Sequence, residues 1–216
     1  MGDRLLGKKR YAFYKDPFVI VLIILIFLLL CRGLFSARYI GIYVVGNSMS
    51  PTLTGAPERY LSGGDYLYAD KYALPERGDI VVVESPSGGY IIKRVIALGG
   101  DSLYMEDGIV YIMYEGENSF IALEESYVLP ENNDPNLSYN SYRSEDNPLV
   151  VPENSMFLLG DNRGSVHDGQ EIVSNDSRHY GTFGYDTLIG VITDWSLSCK
   201  SFFTGFYSFF AFGKIV

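Results

Sequence analysis

The chain has 216 residues, 47% of them apolar, and a formal net charge of −9. That length and apolar share allow one domain with a buried core and argue against a largely disordered chain. The acidic balance leaves no basic stripe to neutralise phosphates, which argues against nucleic acid as a partner. The two cysteines, Cys31 and Cys199, do not by themselves make a structural zinc site.

Residues 1–16 run against the overall charge, with Arg4, Lys8, Lys9, Arg10 and Lys15 facing only Asp3 and Asp16. An unbroken apolar run follows from Pro17 to Cys31, short for a bilayer core, and it extends through Phe35 if Arg32 snorkels to the interface. A cleaved secretory signal needs small residues before the cut, and Phe35 occupies one of those positions in Phe35-Ser36-Ala37. A lipoprotein signal needs a small residue before its cysteine, where this chain has Leu30. A retained signal anchor over 17–36 is the expectation. The basic excess before it predicts a cytoplasmic N-terminus and an extracytoplasmic remainder. The bland account of Cys31, in this run, and Cys199, near the end, is two unpaired thiols.

Beyond the anchor, short β-branched or aromatic runs predict strands at 66–69, 80–84, 91–97, 155–159 and 188–193. Asp107-Gly108 between two such runs, 102–105 and 109–114, predicts a hairpin. No stretch of ten residues after position 40 has helical periodicity, so the exported part is expected to be mainly β. Residues 115–150 are rich in Asn, Ser, Glu and Pro, as in Pro130-Glu131-Asn132-Asn133-Asp134-Pro135. They form an insertion or cap between two parts of one core, or else a long loop. The expected organisation is therefore a cytoplasmic segment 1–16, an anchor 17–36, a β core from 37–103 and 151–198, an inserted variable region 104–150, and a tail 199–216. That tail is strongly aromatic and suits either a membrane-interfacial contact or a packed terminal strand.

Two segments carry the chemistry. Gly46-Asn47-Ser48-Met49-Ser50-Pro51 places a hydroxyl among turn formers. Most such serines cap a backbone amide or face water. Tyr90-Ile91-Ile92-Lys93-Arg94-Val95-Ile96 places Lys93 on one strand face with Ile91 and Val95. Burial there lowers a lysine pKa, and a neutral amine can take a proton from a serine. An edge lysine snorkelling to water is the alternative. Only His167 and His179 exist, both in an irregular polar region, so neither is favoured as a base. Gly160-Asp161-Asn162-Arg163 and Ser174-Asn175-Asp176-Ser177-Arg178 are dense in groups that could orient a base, or could be plain capping and ion-pair loops.

Taken in order behind the anchor, Ser48-Met49-Ser50-Pro51-Thr52-Leu53, Arg77-Gly78-Asp79-Ile80-Val81, Lys93-Arg94-Val95-Ile96 with Gly100-Asp101, and the 160–163 and 174–178 segments resemble bacterial type I signal peptidases. The resemblance runs from the anchor to about residue 181. It implies a mainly β signal-peptidase core, no cofactor, and signal peptides of exported preproteins as substrates, met at the membrane lipid surface and cut after Ala-x-Ala. It implies Ser48 as nucleophile, Lys93 as general base, and the Ser48 backbone amide as an oxyanion donor. It implies that Ser174 hydrogen-bonds the Lys93 amine, that Asp176 and Arg178 support the site together with Asp161 and Arg163, and that Met49 lines the substrate pocket. Two departures stand out. Gly46 occupies the position where some family members carry a second oxyanion hydroxyl. Residues 164–173 separate the last two motifs, where the family usually has only a couple of residues, so the path of that loop decides where Ser174 lies. Other outcomes are a specialised peptidase for few substrates and an inactive, membrane-tethered binding homologue.

Overall fold

A computed structural model describes residues 16–57, 63–167, 170–200 and 214–215. It divides the chain into two units at Arg38/Tyr39. The first contains one helix, α1 (Pro17–Arg38). Proline at its first position costs no hydrogen bond, and the Asp16 carboxylate caps it by accepting from Phe18 N at 2.9 Å. At 22 residues the helix is roughly 33 Å long, enough to span a bilayer core. Its apolar side chains are exposed. The segment before it, residues 1–15, lies outside the described residues.

The second unit is built from strands. In chain order they are β1 (Tyr39–Tyr43), β2 (Tyr66–Asp70), β3 (Ile80–Glu84), β4 (Tyr90–Leu98), β5 (Ser102–Glu106), β6 (Ile109–Met113), β7 (Ile121–Ala122), β8 (Leu149–Val150), β9 (Ser155–Leu159), β10 (Ser165–His167), β11 (Gln170–Ile172), β12 (Phe183–Gly184), β13 (Leu188–Ile192) and β14 (Lys214–Ile215). Two short helices, α2 (Ser177–Tyr180) and α3 (Asp194–Ser198), complete it. The main sheet has the order β12-β9-β4-β3-β13-β2-β1-β14, and a second sheet has the order β7-β6-β5-β8. Pairing is antiparallel except where β14 runs parallel to β1. The fold is mainly β, as the residue pattern predicts.

β3 reads Ile-Val-Val-Val because both of its faces are covered. Ile80 and Val82 join a core with Ile42, Leu67, Ile92 and Ile192. Val81 and Val83 face Val95, Met156, Leu158 and Phe183 on the other side. A third core, including Ile96, Phe157, Leu103, Met105 and Ile112, joins the second sheet to the main one. The β5–β6 hairpin turns through Asp107 and Gly108, both at positive φ (49° and 81°), as a two-residue type I′ turn requires.

β1 is the strand that the residue pattern does not announce, because Tyr-Ile-Gly-Ile-Tyr follows the apolar anchor without a turn signal. Residues 115–150 are not one long loop. They contain β7, β8 and two 3₁₀ turns, Pro130–Asn132 and Ser138–Asn140. Most of the aromatic tail, 201–213, lies outside the described residues. The thiols of Cys31 and Cys199 are free.

Candidate active site

Ser48 sits on a turn after β1, held from both sides of the chain. Gly46 N donates to Ala56 O at 3.1 Å, and Leu53 N donates to Met49 O at 2.9 Å. Gly46 has φ +80°, a conformation that a residue with a Cβ adopts only at a cost. That strain gives a physical reason why no hydroxyl occupies this position. Met49 turns inward and is 1% exposed among Ile42, Val44 and Leu53, so it anchors the turn in the core beneath the cavity.

Lys93 lies on β4 opposite Val81 of β3, on the face shared with Ile91 and Val95. It is 2% exposed. Its amine donates to Ser48 Oγ at 2.8 Å and to Ile92 O at 2.8 Å. An ammonium in so dry a place loses hydration, and burial is the largest influence on its pKa. Asp176 and Asp161 act in the opposite direction, and the net result is a pKa lowered to about 8. The pair opens into a cavity of about 480 Å³ whose walls include Val45, Tyr90, Asn162, Ser174 and Asn175.

Pairing of Arg94 with Leu159 brings the end of β9 beside Lys93, and Gly160-Asp161-Asn162-Arg163 follows. A Cβ on Gly160 would lie 2.5 Å from Ser48 O and 2.6 Å from Ser174 Oγ, so only glycine fits between them. Asn162 N donates to Ser48 O at 3.0 Å. Asp161 is fully buried and accepts two hydrogen bonds from Arg94, at 2.8 and 2.6 Å. Asp176 caps α2, accepting from Arg178 N at 3.1 Å, and forms a bidentate pair with the Arg178 guanidinium. Its other oxygen also accepts from Gly160 N at 3.3 Å.

The loop 164–173 departs as the β10–β11 hairpin and returns the chain to the site. Ser174 therefore reaches the cavity wall. Its Oγ is buried without a partner, so the hydrogen bond to Lys93 that the resemblance implies is not made in this structure. His179 is exposed and contacts Tyr139 Oη at 3.3 Å, not Ser48. The side chain of His167 lies outside the described residues.

The inserted region does more than cover the core. Arg163 pairs with Glu125, which also accepts from Tyr127 Oη at 2.7 Å. Burial first, then the Glu125 charge, pushes the Tyr127 phenol up and keeps it a donor. The Arg94 guanidinium lies 3.9 Å over the Tyr127 ring. Asp161, Arg94, Tyr127, Glu125 and Arg163 thus close a ring around the loop that meets Ser48. Asn132 O accepts from Arg163 N and Gly164 N at 2.8 and 3.0 Å, and Asn140 accepts from Arg178 at 2.5 Å. Sequence reasoning missed Arg94, Glu125, Tyr127, Asn132 and Asn140. Arg94 alone carried a signal, as a guanidinium next to Lys93 on a strand otherwise apolar.

Asp176 and Arg178 are both buried, so removing one leaves the other's charge unpaired. Asp176→Ala is expected to lower the unfolding free energy by roughly 3–5 kcal/mol, measured by urea denaturation of the full chain in detergent. A loss under about 1 kcal/mol would show that solvent replaces the carboxylate.

A mainly β unit behind a bilayer-length helix, with a buried lysine on a serine, has the make-up of a membrane-tethered peptidase. The family model described as "Signal peptidase, peptidase S26" matches residues 15–195. The chain belongs to the signal peptidase family, peptidase S26. It is 29% identical over 195 residues to a probable signal peptidase I-1 of Synechocystis sp., covering 83% of this chain and 81% of that protein. It is 30% identical over 186 residues to signal peptidase I P of Bacillus subtilis subsp. natto, covering 85% and 89%. A crystal structure of a signal peptidase I from Enterococcus faecalis is similar with a TM-score of 0.39 at 28% identity, over 56% of this chain and 98% of that one.

Proposed function

We propose that the chain is a membrane-anchored serine endopeptidase that removes signal peptides from exported preproteins through a Ser48–Lys93 dyad, cutting after Ala-x-Ala. The observation that carries this reading is the 2.8 Å contact between a buried Lys93 amine and Ser48 Oγ at the floor of an open cavity. Neutral Lys93 takes the Ser48 proton as Oγ attacks the scissile carbonyl. The Ser48 N–H stabilises the oxyanion that forms. Lys93 then returns the proton to the leaving amine, and water, activated by the same amine, hydrolyses the acyl-enzyme. The substrate joins as an extended strand whose alternate side chains enter the cavity. Asp161, Arg163, Asp176 and Arg178 hold the loops around the pair. The contact between Ser48 and Lys93 argues against an inactive binding homologue.

Anchoring through α1 tethers the chain to a bilayer surface, where signal peptides emerge. The basic excess in residues 1–16 orients that surface to the outside. A soluble peptide carrying Ala-x-Ala, added to intact spheroplasts that express the chain, is expected to be cut after the second alanine, with the cut mapped by mass spectrometry. Cutting at another bond would overturn the specificity. Cutting only after permeabilisation would overturn the orientation.

A further inference from the structure

We infer that Asn162 is a positioning residue that sets the direction of the Ser48 N–H toward the oxyanion, by holding both peptide planes that flank Ser48. This rests on the dyad reading above. Asn162 N donates to Ser48 O at 3.0 Å, which fixes the plane after the serine. Asn162 Nδ2 donates to Asn47 O at 3.3 Å, which fixes the plane before it. Asn47 C=O and Ser48 N–H belong to one trans peptide unit, so they point in opposite directions. Holding the carbonyl on the Asn162 side therefore aims the N–H the other way. Among the described residues, none accepts from that N–H.

The orientation of the Asn162 amide is decided by its partners. Oδ1 accepts from Gly164 N at 3.2 Å, a group that can only donate, and Nδ2 faces a carbonyl, which can only accept. The reverse orientation would set donor against donor and acceptor against acceptor. Asn162 is itself held on both flanks. Asp161 is clamped by Arg94, and Arg163 is clamped by Glu125 and by donation to Gly160 O at 2.9 Å. Gly46 adds weight to this role. With no hydroxyl two residues before Ser48, the serine amide carries more of the oxyanion's stabilisation, and its aim matters more.

The test uses the full chain in detergent micelles with a soluble Ala-x-Ala peptide. Asn162→Ala is expected to lower kcat about tenfold to a hundredfold, with KM changed by less than about threefold. The acidic limb of the pH profile should not move, because the surroundings of Lys93 are unchanged. A peptide aldehyde, whose hemiacetal oxygen takes the oxyanion position, should bind more weakly by a similar factor, while an uncleavable peptide binds as before. Asn162→Asp keeps an acceptor for Gly164 N but cannot donate to Asn47 O. It should lose activity as the alanine variant does, and it decides the matter if the alanine variant does not fold. The inference is overturned by wild-type kcat in either variant, by a loss carried in KM, by equal weakening of both peptides, or by an active Asn162→Asp beside an inactive Asn162→Ala, which would assign the side chain to anchoring Gly164. Ser48→Ala runs in parallel. If it is inactive while Asn162→Ala is normal, only this inference fails. If it is active, the dyad reading fails too.

Discussion

Ser48→Ala and Lys93→Met are each expected to lower peptide cleavage on the order of 10⁴-fold or more, since members of a nucleophile–base pair act as a unit. The double variant should be no worse than either single one. Folding should survive both changes. Ser48 is half-buried on a turn that is held through its own backbone N–H and C=O groups, and alanine keeps them. Methionine fills much of the lysine's volume on a face with Ile91 and Val95, and it removes an amine whose charged form burial opposes. Its melting temperature near pH 7 should be at or above that of the parent. Kinetics with the soluble peptide and thermal melts of the same samples check both statements. Activity within about tenfold of the parent in either single variant would remove that residue from the mechanism.

Activity should also fall on the acid side with a midpoint near pH 8, the value to which burial lowers Lys93. Only the neutral amine accepts the serine proton, and below the midpoint its fraction drops about tenfold per pH unit. At pH 6 the rate should be roughly a hundredfold below the plateau. Replacing His167 and His179 together should leave this limb unchanged, because His179 is exposed and away from Ser48. Loss of the limb in that variant would make a histidine the base. The stability linkage has a definite sign. The Lys93 pKa is lowered from 10.5 in the unfolded chain to about 8 in the folded one, so between those values the unfolded chain binds more protons. Lys93's contribution to stability therefore rises with pH across that window and is least favourable below 8. The melting-temperature advantage of Lys93→Met should shrink as pH goes from 7 to 10.

Much of this is legible in the linear chain because it depends on neighbours in sequence. The apolar run from Pro17 to Cys31 admits little but a helix, which reaches membrane length by running on to Arg38, and Asp107-Gly108 sets its own turn through positive φ. Alternation along β4 places Lys93 with Ile91 and Val95, and the structure has the same grouping. A lysine among β-branched neighbours is a candidate base from sequence alone, as is a serine between Gly46 and Pro51. The inserted region is legible only as a change of composition. A single glutamate or tyrosine in a polar segment has no period to read, so the partners of Glu125 and Tyr127 could not be inferred.

Residue order by itself determined the bilayer-length apolar helix, the β character, the two candidate reactive groups and the motifs that point to the family, since each rests on local sterics, periodicity or adjacent residue types. Tertiary structure decided the rest. The pairing of β4 with β9, and the loop after β9 whose Asn162 N holds Ser48 O, closed 45 residues of separation to a 2.8 Å contact between Lys93 and Ser48. The β10–β11 hairpin returned Ser174 to the cavity without bringing its hydroxyl onto Lys93. Met49 went to the core because the turn needs an apolar anchor there. Residues 125–140 joined the site because the buried Arg163 finds its carboxylate there in Glu125, and the buried Arg178, already paired with Asp176, finds a further acceptor in Asn140; a buried charge is stable only when paired.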